Sequence, residues 1–142
     1  MLKYGSIQEL VCAAEARGLK NSELVLEDQA EAMEKTPDEL YARMRKSFAV
    51  MLASVAAGQK KEQRSMSGLT GGEGYAMKRY ADEKGGICGD FLSHAIARAL
   101  AVAGCNASMG LIVAAPTAGS CGILPGCLVS LYEDRGVPKR IL

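Results

Sequence analysis

The segment Ala115-Pro116-Thr117-Ala118-Gly119-Ser120-Cys121-Gly122-Ile123-Leu124-Pro125-Gly126 most constrains what this chain can fold into. Within twelve positions it carries two prolines, three glycines, two hydroxyls and a thiol, and no charge. Prolines fix φ and remove donors, and glycines permit close approach, so the segment cannot be one helix throughout. Its apolar content does not suit a solvated loop either. The segment therefore predicts buried, shaped backbone whose N–H and C=O groups must find partners. A tightly packed helix–turn–helix joint would supply them, and so would a bound polar ligand.

A chain of 142 residues is sized for one domain, with 1–142 as a single unit, and can bury about two thirds of its unfolded surface. Seventeen Lys plus Arg against sixteen Asp plus Glu leave the net charge near zero, which points away from a nucleic-acid partner. The low aromatic content and the absence of Trp also speak against stacking on single-stranded nucleic acid. Met1-Leu2-Lys3-Tyr4-Gly5 has no apolar signal core, and no window reaches the ~18 apolar residues of a membrane span, so a cytoplasmic protein with no membrane partner is expected. Five irregularly spaced cysteines read as reduced thiols.

Helix signals recur along the chain. Ser6-Ile7-Gln8-Glu9 has capping-box form and opens a pattern of Ile7, Leu10, Val11 and Ala14 that stops at Gly18. Asn21 or Ser22 caps a second helix with Leu24, Val25, Ala32 and Met33 beside an acidic, solvated face. Thr36-Pro37-Asp38-Glu39 combines an N-cap, Pro at N1 and Glu at N3. The helix it opens should run to about Ala57, with Leu40, Met44, Phe48, Met51, Leu52 and Val55 inward. Gln59 to Arg64 reads as an exposed connection or a helix extension.

The crowded Ser65-Met66-Ser67-Gly68-Leu69-Thr70-Gly71-Gly72-Glu73 then leads into another helix. Its backbone N–H groups and hydroxyls could hold a carboxylate or phosphate, although the Gly-Lys-Ser/Thr ending of a P-loop is missing. A Thr70 cap with Glu73 as its box partner fits the same letters. Asp90 caps a helix carrying Phe91, Leu92, Ile96, Ala97 and Leu100, expected to stop at Gly104. His94, the single histidine, has Arg98 at i+4 and no carboxylate at helical spacing, so it reads as a partly exposed surface residue. A last helix from Leu124 or Pro125 to Arg135 ends at Gly136, and Val137 to Leu142 looks like the start of one more. With no convincing alternating strand, the expected fold is all-α, a helical domain fragment with glycine- and proline-rich buried loops.

Three blocks, Gly68-Leu69-Thr70-Gly71-Gly72-Glu73, Asn106-Ala107-Ser108-Met109-Gly110 and the segment Ala115–Gly126, resemble in order, spacing and content the α chain of bacterial iron–sulfur-dependent L-serine dehydratase. The resemblance implies deamination of L-serine to pyruvate and ammonia without pyridoxal, with a [4Fe–4S] cluster as Lewis acid. It implies substrate positioning by Thr70, Gly71, Gly72, Asn106, Pro116, Thr117, Ala118, Gly119 and Ser120, each inside a matched block. No residue stands out as the α-proton base.

The same resemblance implies an α chain about twice this length, with the cluster cysteines in its second half, so no metal ligand is expected in residues 1–142. The partners implied are L-serine, a C-terminal half, and a β chain or β domain, assembled as an oligomer. Cys105, Cys121 and Cys127 match no compact ligand spacing and read as small buried hydrophobes, with Cys12 as packing. The alternatives are a non-catalytic partner chain of a split enzyme and a related cluster enzyme such as a cysteine desulfidase.

Overall fold

The structure, a computed structural model, describes residues 4–140. Six α-helices form: α1 (Ile7–Arg17), α2 (Asn21–Ala32), α3 (Pro37–Gly58), α4 (Glu73–Lys84), α5 (Asp90–Ala107) and α6 (Ile123–Arg135), with a 3₁₀ turn at Ala118–Ser120. No strand occurs among the described residues, and no helix there is long and apolar enough to cross a membrane. The all-α expectation holds. The chain divides into two compact units, Met1–Arg45 and Lys46–Leu142.

In the first unit the caps follow the letters closely. The Glu9 N–H donates to Ser6 Oγ at 3.2 Å, and the Glu9 carboxylate accepts from the Gly5 N–H at 2.8 Å, one residue before the expected box partner. At α3 the Thr36 box is complete, since the Glu39 N–H donates to Thr36 Oγ1 and the Thr36 N–H to Glu39 Oε2, at 3.3 and 2.8 Å. The bond from the Thr36 N–H, followed by one from the Thr36 hydroxyl to the same Oε2 at 2.9 Å, holds the Glu39 carboxyl below its ordinary range. The second helix starts with Lys20 as N-cap, because its N–H is met by Glu23 Oε2 at 2.9 Å. Ala14, Leu24, Ala30 and Leu40 are buried, whereas Ile7, Met33 and Met44 are exposed although they were expected inward.

The second unit is organised around α5, which packs against α4 and α6. Its core joins Phe48, Met51 and Val55 of α3 to Val102 of α5, Cys121, and Val129 of α6. Phe48 meets Tyr132 edge-on with centroids 5.7 Å apart. Each fully buried side chain of this kind contributes about 1.5–3 kcal/mol.

The buried face of α5 is not the one its large residues mark. Leu92, Ile96 and Leu100 are exposed, while Ser93, Ala95, Ala97, Arg98, Ala101, Val102 and Cys105 are buried. The reason is close approach by small residues. A Cβ on Gly58 would lie 1.7 Å from the Ala101 carbonyl oxygen, and one on Gly74 would lie 2.7 Å from Ala101 Cα. Backbones that near leave room only for the alanine face of α5.

The end of α5 also differs from expectation. The helix passes Gly104 and closes in a Schellman motif, with the Gly110 N–H donating to Cys105 O at 2.8 Å and the Met109 N–H to Asn106 O at 3.0 Å. Met109 occupies the left-handed position, φ 61°, where glycine is usual. The last helix begins at Ile123, one residue before the earlier of its two expected starts, and ends at Gly136 as expected. Of the helix start read at Val137 to Leu142, Lys139 and Arg140 lie in a turn, and residues 141–142 fall outside the described residues.

Candidate functional site

The three blocks singled out in the sequence meet at the C-terminal end of α5. The first forms the turn into α4. There Gly71 and Gly72 take φ 146° and 86°, and a Cβ on Gly71 would sit 2.3 Å from the Gln63 carbonyl oxygen. Gly72, not Thr70, is the N-cap of α4. Glu73 still closes the turn, with Oε1 accepting from the Gly71 N–H at 2.9 Å. That bond, followed by one from its own N–H, holds the Glu73 carboxyl below its ordinary range. The Gly72 N–H donates to Gln63 Oε1 at 3.2 Å. Both glycine amides are therefore engaged inside the protein. The exposed Thr70 closes the loop through its backbone, its carbonyl accepting from the Ser65 N–H at 2.9 Å.

The second block is the last turn of α5 and its cap. The Met66 N–H donates to Ala107 O at 3.1 Å, tying the first block to the second. Asn106, half-buried, donates through Nδ2 to Ala118 O at 3.4 Å, tying the second to the third.

The third block splits into two parts, where burial was expected throughout. Pro116, Thr117, Ala118 and Gly119 are exposed and Ser120 is half-buried, whereas Cys121, Gly122, Pro125 and Gly126 are buried. The exposed part satisfies its own backbone. After a cis Ala115–Pro116 peptide, the Thr117 N–H donates to Ser120 Oγ and the Ser120 N–H to Thr117 Oγ1, both at 3.3 Å. The Ser120 hydroxyl in turn donates to Ala115 O at 3.0 Å. Locally paired hydroxyls let irregular backbone stand at the surface. All nine expected substrate-positioning residues thus lie in two turns and one helix end that touch one another.

Gln63 is the residue that sequence reasoning missed. Its Nε2 donates to Gly104 O at 2.6 Å while its Oε1 accepts from Gly72. A Cβ on Gly104 would come within 2.9 Å of that oxygen, so Gly104 is a seat for Gln63 and not a helix stop. Nothing in the polar run Gln59–Arg64 marks one glutamine as buried more than its neighbours.

A second polar cluster lies nearer the start of α5. His94 is partly exposed as expected and has no carboxylate at helical spacing, yet Asp82 of α4 stands 3.1 Å from Nε2 and Asp134 of α6 stands 3.6 Å from Nδ1. Helical spacing within α5 cannot register partners from two other helices. Beside it Arg98, 10% exposed at the side chain, bonds Ser130, Glu133 and Asp134 through five N–H contacts of 2.7 to 3.2 Å. A guanidinium has five N–H donors, so none remains for a ligand. The Arg98 bonds hold the Asp134 carboxyl below its ordinary range. Although a cleft of about 320 Å³ opens here, its charges are matched internally, and the cluster is a clasp joining α5 to α6.

The cysteines divide. Cys105 and Cys121 are buried, and burial pushes both thiols up, with Cys121 adding to the effect on Cys105. Cys127 and Cys12 are exposed, against the expectation that both pack. Among the described residues no group of three His, Cys, Asp or Glu could hold a metal ion. An apolar groove of about 400 Å³, lined by Ala49, Val50, Ala53, Ala57 and Leu111 with few polar atoms, does not suit a zwitterion.

Comparison with known proteins gives a consistent picture. A family model described as serine dehydratase alpha chain matches residues 16–142. A Bacillus subtilis (strain 168) protein named as a probable L-serine dehydratase, alpha chain, is 31% identical over 130 residues, 92% of this chain and 43% of the relative. The L-serine dehydratase alpha chain of Peptoniphilus asaccharolyticus is 36% identical over 126 residues, 89% of this chain and 43% of the relative. The chain thus spans less than half the length of either relative. No solved structure matches it.

Proposed function

Because this chain belongs to the serine dehydratase alpha chain family, we propose that it supplies the substrate-binding part of an enzyme converting L-serine to pyruvate and ammonia. The observation that carries the reading is the convergence of the three blocks on the C-terminal end of α5. A free amino acid needs donors for its carboxylate and acceptors for its ammonium, held at fixed spacing.

The roles within the site divide by what is already engaged. Gly71 and Gly72 shape the turn, since their N–H groups serve Glu73 and Gln63. Pro116, Ala118 and Gly119 shape the surface loop. The side chains of Thr70, Asn106, Thr117 and Ser120 contact the substrate. Asn106 makes one long bond, and the Thr117 hydroxyl, 3.1 Å from that of Ser120, can turn its proton to a carboxylate while the Ser120 proton stays on Ala115 O.

The [4Fe–4S] cluster that the family resemblance implies does not fit these residues. Its cysteine ligands act as thiolates, and burial disfavours that form at Cys105 and Cys121. The cluster takes its ligands from outside this chain, together with a C-terminal half and a β chain or β domain. This chain alone binds serine and forms no pyruvate from it.

Titration of the isotope-labelled chain with L-serine tests the reading. Amide shifts confined to Thr70–Gly72, Asn106 and Thr117–Ser120 are expected. Absence of any shift there would overturn it, and tighter response to L-cysteine than to L-serine would reassign the substrate to a thiol amino acid.

A further inference from the structure

The geometry points to Gln63 as a positioning residue of the substrate site, an inference that rests on the serine-binding reading above. Three elements reach the end of α5, and among the described residues only one side chain spans two of them with both ends of an amide. Gln63 Nε2 donates to Gly104 O at 2.6 Å, and Gln63 Oε1 accepts from the Gly72 N–H at 3.2 Å. The Gly104 carbonyl belongs to the helical turn that carries Asn106, and the Gly72 amide belongs to the turn that carries Thr70. The Gln63 side chain therefore sets the separation between Thr70 and Asn106.

The surrounding backbone is fitted to this amide. A side chain at Gly104 would come within 2.9 Å of Gln63 Oε1, and one at Gly71 would lie 2.3 Å from the Gln63 carbonyl oxygen. Gly104 leaves the space in which the side-chain amide lies, and Gly71 lets the turn into α4 approach the Gln63 main chain. A second tie, the Met66 N–H to Ala107 O bond at 3.1 Å, fixes the loop to α5 but involves no side chain that could set the spacing. The amide is needed because one end must donate and the other accept. Methionine has the length and neither function. Glutamate has the acceptor, and regains the donor only when protonated.

The test measures L-serine affinity and thermal stability in the full chain for wild type, Gln63→Met, Gln63→Glu and Arg98→Met. Gln63→Met is expected to weaken L-serine binding about tenfold, the loss of one well-placed hydrogen-bond pair in the site. Gln63→Glu should bind weakly at pH 7.5 and recover on acidification to about pH 4, where a carboxyl of ordinary pKa, about 4.3, is mostly protonated and restores the donor. Wild-type affinity should stay level over that range. Arg98→Met, which loosens the clasp between the middle of α5 and α6, should lower thermal stability and leave L-serine affinity unchanged. Wild type giving no L-serine response overturns the substrate reading and the positioning role with it. If wild type responds and Gln63→Met binds as tightly, or if Arg98→Met loses as much affinity, the positioning role alone is overturned.

Discussion

Toward the start of α5, Arg98 commits all five N–H groups to Ser130, Glu133 and Asp134, whereas at the other end Asn106 makes a single bond of 3.4 Å. Residues 98 and 106 stand about 12 Å apart along one helix. The charged end is closed, with every donor answered by a side chain of α6. The uncharged end is tied through main chain, one glutamine and paired hydroxyls, and its polar side chains keep capacity for something more. Strong charge and an open cleft mark the first region, yet it is the second that has room for a ligand. Charge density locates a clasp here, and incomplete pairing marks the proposed site.

The first way to break this comparison is to remove both ends at once. Gly58→Ala places a Cβ against the Ala101 carbonyl oxygen, midway along α5, and should destabilise the unit by about 3 kcal/mol or more. Thermal unfolding followed by circular dichroism checks it, and an unchanged midpoint would show that α3 and α5 do not approach this closely. Arg98→Met should act on the charged end alone, costing about 2 kcal/mol because Asp134 and Glu133 lose their partner. Replacing Asp134 with Leu in the same chain should restore part of that loss.

Acid sharpens the contrast further. The Arg98 hydrogen bonds hold the Asp134 carboxyl below its ordinary 3.8, so its contribution is complete at neutral pH. That contribution should be lost as pH falls from the ordinary aspartate range through the lowered folded value. The melting midpoint of Arg98→Met should consequently fall less steeply with acid than that of wild type. At the uncharged end, Thr117→Val and Ser120→Ala should each cost under about 1 kcal/mol in stability while abolishing the L-serine response. A large stability loss from either would show that the hydroxyl pair holds the loop together rather than serving a ligand.

How far the sequence disclosed all this depends on the range of the interaction. Capping is local, and Thr36, Glu39 and Gly136 act within five residues of themselves, so those helix ends were legible. The buried face of α5 was not, because large apolar residues normally mark the inside, and here backbone proximity selects the small ones. The stop at Gly104 failed for a related reason: the glycine is a seat for Gln63, and the left-handed cap position fell to Met109. The nine residues proposed to position substrate were legible as letters in three blocks. Their meeting depended on Gln63 and on bonds between residues up to 41 positions apart, which no local pattern encodes. The carboxylate partners of His94 and Arg98 were hidden for the same cause, since they stand on α4 and α6.

Ala101 lies between Gly58 and Gly74, which come from two different helices. Stabilising helices by exchanging glycine for alanine is ordinarily worth about 1 kcal/mol per exposed site. At these two positions the sign reverses, because the better helix former brings a methyl into occupied space. Engineering this domain by helix propensity alone would improve the segments one by one and dismantle the place where they meet.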